Sequence, residues 1–215
     1  MMRLSRIFSI VAAVSGALWL ASNDARAQEL SPPKAHQGYY LSLSLAGTVM
    51  GHKDKDVGWL GPQGGPLGAL RMGQAVTPYL DLGIAVLAGA GYDSNRGAVL
   101  GRFGLEAQVR PIPVMEPAFL RVGVGFGLTD VFDRKDKMAS VPGRTGAAYV
   151  VAIGYDFFPG RSPERSGGFS LSPVLGLEAG PSAGFSSLAG WIGLELGWWT
   201  GLPKAELELP EEKAY

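Results

Sequence analysis

Between residues 118 and 129 the chain alternates strictly between two kinds of side chain. Leu120, Val122, Val124, Phe126 and Leu128 are large and apolar. Phe119, Arg121, Gly123, Gly125, Gly127 and Thr129 stand between them, mostly small and with one charge. Period two predicts a β-strand with two unlike faces. One face suits a hydrocarbon solvent. The other, nearly bare glycine with a single arginine, suits the cramped inside of a narrow closed barrel. A soluble sandwich would instead carry bulky polar residues on its outer face.

The same alternation recurs over about 38–49, 64–75, 79–92, 98–110, 145–157, 169–179 and 187–200, giving eight predicted strands. The stretch 64–75 alternates more weakly, with Leu70 and Met72 outward and Arg71 inward. Pro173 interrupts the seventh strand, where a missing N–H predicts a bulge. Short connections imply antiparallel, up-and-down order. The strands match the about 9–11 residues that a tilted strand needs to cross a bilayer. Backbone groups cannot stay unpaired in lipid, so the sheet must close. The fold class expected is all-β: a closed eight-stranded antiparallel up-and-down transmembrane barrel.

Both chain ends then share one rim, the periplasmic one. Loops at 51–63, 93–96, 130–143 and 180–186 face outside. Tyr39, Tyr155, Phe157, Phe169 and Trp198 point outward near the rim with the chain ends, and Tyr92 near the other. They are expected to form the two aromatic girdles of a membrane barrel. The inward positions collect Asp81, Glu106, Asp156, Glu178 and Glu195 with Arg71, Arg102, Arg110 and Arg121. Charges so placed must pair or meet water. They form either an ion-paired plug or the lining of a narrow pore.

Composition narrows the class. The chain has 32 glycines in 215 residues, against an average usage of about 7%. It has no cysteine, which excludes disulfides and thiolate metal sites. The formal net charge is zero, so no electrostatic capture of nucleic acid is expected. Residues 1–27 read as a secretory signal: Arg3 and Arg6, an apolar run, then Ala25-Arg26-Ala27. Cleavage would remove Arg3, Arg6, Arg26 and Asp24 from the 19 basic and 19 acidic residues, leaving 16 and 18. Residues 28–37 read as a periplasmic lead-in, 38–200 as the barrel and 201–215 as a short acidic periplasmic tail.

Candidate chemistry is sparse. His36 falls in the lead-in and His52 in the first outer loop; they lack metal-ligand spacing, and no cofactor or metal site is predicted. His52 with Asp93 and Ser94, on neighbouring outer loops, supplies a base, a carboxylate and a hydroxyl, the parts needed for acyl transfer. This set is similar to that of the outer-membrane lipid A palmitoyltransferase. The bland alternative is a solvated histidine beside an ordinary turn. No His-x-Ser pair of the lipid A deacylase kind occurs.

From residue 38 to 200 the pattern resembles the small eight-stranded outer-membrane barrels of Gram-negative bacteria, the outer membrane protein A-like and X-like families. Gly193-Leu194-Glu195-Leu196-Gly197-Trp198 looks like their terminal-strand signal: glycine, two residues, then apolar, any, aromatic. In those families the signal usually closes the chain, whereas here a tail follows, too short for a peptidoglycan-binding domain. The resemblance implies a monomer in the bacterial outer membrane, surrounded by lipid and lipopolysaccharide and inserted by the outer-membrane assembly machinery. The function expected is non-enzymatic, structural or surface-interacting. A lipid A-modifying enzyme and a narrow pore are the alternatives.

Overall fold

A computed structural model of the chain describes residues 35–56, 58–111, 117–134, 141–160, 167–182 and 185–201. Eight strands follow in order: β1 (Tyr39–Asp54), β2 (Gly58–Thr77), β3 (Leu80–Tyr92), β4 (Arg96–Val109), β5 (Ala118–Asp133), β6 (Val141–Tyr155), β7 (Gly168–Ser182) and β8 (Phe185–Trp199). Each pairs antiparallel with the next, and β8 returns to β1. That closing ladder is long and unbroken, from Tyr40 opposite Trp199 to Asp54 opposite Phe185. Closure leaves no sheet edge to meet lipid.

The two faces are inverted relative to a soluble protein. Leu45, Leu105, Phe126, Ile192 and their outward neighbours are exposed, Phe126 to 80%. Inside, small residues make room for a few large ones. Tyr40 turns into the lumen over β2 and β3, and a Cβ on Gly73 or Gly83 would collide with its ring or hydroxyl. Phe119 lies over Gly154 in the same way. Phe119, Val150, Ala152, Val174 and Trp191, from β5 to β8, belong to one buried apolar cluster that also takes in Met50, Leu67, Leu87 and Leu100 from β1 to β4.

Several strand ends differ from the sequence expectation. Residues 51–63 form not a loop but the paired ends of β1 and β2, turning just before Gly58, whose φ is +87°. Likewise 130–143 contributes to β5 and β6, and 180–186 to β7 and β8. Backbone pairing does not need apolar side chains, so a hairpin continues into water after the alternation fades. The weakly patterned β2 is in fact the longest strand, at 20 residues. Its pattern is blurred by glycines and by Pro66, which interrupts the ladder to β3 without changing register. Strand β6 ends at Tyr155, and Phe157 makes only an isolated bridge to Leu171.

Pro173 corrects another expectation. No bulge forms there: β7 pairs with β8 without a register shift through Pro173 opposite Leu194. Toward β6, Gly154 pairs with Val174, and Phe157 pairs with Leu171 in the same register. Phe157 and Leu171 exchange both backbone hydrogen bonds, at 2.9 and 2.8 Å. Two residues along, alternation puts Pro173 opposite Tyr155, where its missing N–H would have donated. The strand stays straight and loses a rung.

Candidate functional site

The lumen is the chemically rich part of the molecule. Strand parity sends Arg71 of β2, Arg102 and Glu106 of β4, Arg121 of β5, Glu178 of β7 and Glu195 of β8 inward, and all six are buried. Arg121 grips Glu195 with both terminal nitrogens, at 2.9 Å to each oxygen. Arg71 donates to Glu106 at 2.9 Å and to Glu195 at 3.0 Å. Arg102 donates to Glu106 and pairs with Glu178 at 3.3 Å. Ser44 of β1 donates to Glu195 at 2.9 Å, and Gln108 accepts from Arg121 at 2.7 Å. Three arginines thus face three glutamates, and the bonds cross the lumen from wall to wall.

A second cluster seals the end carrying the chain termini. Arg110 pairs with Asp81 at 2.7 Å and with Asp156 at 3.7 Å. His36 comes in from outside the strands, is only 1% exposed, and bonds Asp156 at 2.7 Å through Nε2. Since an ionised carboxylate only accepts, Nε2 carries the proton. Ser172 donates to the other oxygen of Asp156. The His36 ring stands edge-on to Phe158 and Trp199, each 5.0 Å away, and Arg110 lies 5.4 Å over Trp199. The stretch before β1 is therefore no free lead-in where it is described. Gly167 N–H donates to Ala35 carbonyl at 3.0 Å and Gly201 N–H to Gln37 carbonyl at 3.1 Å. Ala35–Gln37 stoppers the barrel mouth.

A void of about 10 Å³ lies on the outer side of Glu178, lined by Leu100, Gly127, Thr129, Glu178 and Ser187 among others. That is room for about one water.

The fold is that of the small outer-membrane barrels. Neisserial surface protein A superposes with a TM-score of 0.53 at 14% identity, covering 75% of this chain and 97% of that one. Ail, the attachment invasion locus protein of Yersinia pestis, gives 0.47 at 12% identity, covering 75% and 99%. The N-terminal β-barrel domain of Pseudomonas aeruginosa OprF gives 0.38 at 13% identity, covering 75% and 97%. All three are eight-stranded outer-membrane barrels. No protein-family model matches the chain, and no curated protein sequence matches it.

The outer-rim trio is placed differently from the sequence expectation. His52 is not in a loop but in β1, fully buried and opposite Leu60. Asp93 sits level with Gln63, which donates to its Oδ2 at 3.0 Å. Three residues of β2, about 10 Å, separate those levels. Asp93 Oδ1 accepts from the Asn95 and Arg96 N–H groups at 2.7 Å each, and these bonds hold its carboxyl below the usual aspartate range. Ser94 is exposed while His52 is buried, so hydroxyl and imidazole face different surroundings. Asp93 and Ser94 make a turn, and no acyl-transfer triad is assembled from these three.

Tyr39, Tyr92, Tyr155, Phe157, Phe169 and Trp198 all lie exposed on the outer surface, Tyr92 at the rim away from the chain ends. Sequence reasoning missed His36, Tyr40, Ser44, Gln108, Ser172 and Trp199 as partners of the network. Five of them share the parity of the named charges and could have been found by it. His36 lies outside any strand and left no such signal. The predicted signal at 1–27, residues 28–34 and the tail from 202 onward lie outside the described residues.

Proposed function

We propose that this protein is a passive barrel of the bacterial outer membrane, with a structural or surface-interaction role in the envelope and no steady pore. The observation that carries this reading is the lumen itself: two ion-paired clusters span it and a buried histidine stoppers one mouth. A water-filled path needs mobile charges and continuous space, and neither fits beside these cross-links. The apolar belt supports anchoring among phospholipid and lipopolysaccharide chains. The terminal-strand pattern at 193–198 supports insertion by the assembly machinery. The β1–β2 hairpin, which extends past the level of Asp93, supports contacts outside the membrane.

Planar bilayer recording tests the central claim. Purified protein that migrates as a folded barrel should give no regular conductance steps. Discrete, reproducible steps from that same folded band would replace the passive reading with a pore. Outer-membrane fractionation, together with a mobility shift between unheated and boiled samples, tests the location.

A further inference from the structure

The missing rung at Pro173 has a consequence on the outside of the wall. A groove of about 450 Å³ lies there, lined from β5, β6, β7 and β8. Leu120, Ile153, Leu175 and Ile192 form its outward walls. The lumen-facing residues Phe119 and Val174, with Gly154 of β6 paired to both, are also in its lining. Gly154 contributes no side chain, and Pro173 contributes no N–H to draw β7 onto Tyr155. Among the described residues, Tyr155 supplies the lining's one polar side-chain group.

We infer that this groove holds one acyl chain of a glycerophospholipid from the periplasmic leaflet. The inference rests on the outer-membrane reading. The groove opens onto the belt of exposed apolar side chains, where hydrocarbon chains are the solvent. An uncharged lining with no free row of backbone donors suits a methylene chain and offers nothing to a headgroup or an added strand. Its place at the start of β5 and the end of β6 puts it at the rim carrying the chain ends, hence in the periplasmic leaflet. There Tyr155 marks the headgroup level, packed 4.7 Å from Phe157. An aromatic ring at that level and a cleft beneath it hold the two ends of one lipid.

The test uses full-length protein in vesicles of phosphatidylethanolamine and phosphatidylglycerol, doped with phosphatidylethanolamine carrying a diazirine on one acyl chain. After irradiation, labelled peptides are mapped by mass spectrometry. Labelling at 118–120, 153–155 and 173–175 should exceed that at the belt positions Leu70 and Val86 by about tenfold. Leu175→Trp, which fills the groove, and Pro173→Val, which restores the N–H, should each reduce it to the belt level while the heat-dependent mobility shift persists. Even labelling around the belt overturns the inference. Labelling of the groove by diazirine-palmitic acid but not by the phospholipid overturns its assignment to phospholipid. Protein that stays outside the vesicles and shows no mobility shift overturns the membrane reading, and this inference with it.

Discussion

Glu195 accepts hydrogen bonds from Arg71, Arg121 and Ser44; without its charge Arg71 and Arg121 keep only Glu106 and Gln108 among their named partners, and the buried cluster carries one positive charge in excess. Buried ion pairs add little net stability over apolar packing, but breaking one by deleting a single partner is costly. Glu195→Gln should therefore destabilise the barrel by about 3–5 kcal/mol, measured by urea unfolding in detergent micelles. Paired removal of Arg102 and Glu178 should cost less than the sum of the single losses, because neither charge is left alone. The Asn95 and Arg96 N–H groups lower the Asp93 carboxyl below its ordinary value of about 3.9. A depressed carboxyl contributes stability above its unfolded value and loses it as pH falls through the folded one. The Arg96 amide should stay protected from exchange at pH 5 and lose protection only in stronger acid. Asp93→Asn should flatten that dependence, as read by NMR in micelles. These residues were unequally legible. Nine lumen charges could be read from strand parity alone, because alternation assigns a side to every position. Which charge meets which could not, since partners such as Arg121 and Glu195 lie on opposite walls.

At the scale of elements, the strands were legible wherever one face met lipid and the other met the lumen. Their outer ends were not. Past the membrane the outer face of a hairpin need not be apolar, so His52, which points inward, and Trp59, which points outward, sit in strands that no alternation announces. Pro173 misled in the other direction: like Pro66 it removes a donor, yet its strand continues, held by its second neighbour. The stopper before β1 was the largest omission, because a short segment with no period carries no pattern to read. Its importance can be measured. Asp81 and Asp156 together face one arginine, and His36 reaches Asp156 as a further partner beside Ser172. Replacing it with alanine removes a buried hydrogen bond to a charged group, worth about 1.5–3 kcal/mol. The barrel should remain closed in His36→Ala while Ala35–Gln37 detaches. The Gly167 and Gly201 amides, which donate to Ala35 and Gln37, should then exchange at least about tenfold faster, a change equivalent to 1.4 kcal/mol. Unchanged exchange at both would show that backbone bonds alone seat the stopper.

The whole molecule depends on one long-range event, the meeting of β8 with β1, which joins residues about 150 positions apart in the chain. Every other ladder links neighbours in sequence, so closure is the step that decides between a barrel and an open sheet. It is also the step that lipid enforces, because an open sheet would leave two rows of backbone groups without partners in hydrocarbon. The chain offers a clean way to observe it, since it contains no cysteine of its own. Leu45 and Leu194 are direct partners across the closing ladder, and both side chains face outward. Facing residues in an antiparallel pair have Cα atoms about 4.5–5.5 Å apart, within the span of a disulfide. The double variant Leu45→Cys with Leu194→Cys should cross-link under mild oxidation, and reduction should reverse the change in gel mobility of the denatured chain. Moving the second cysteine to Leu188, which lies opposite Gly51, shifts it by six residues, or about 20 Å along the strand. That pair should stay reduced. Cross-linking of both pairs would mean that β1 and β8 slide past one another rather than holding one register. The ion pairs from Glu195 of β8 across to Arg71 and Arg121 argue against such sliding. A shift of one residue would turn Glu195 toward lipid and leave both arginines behind.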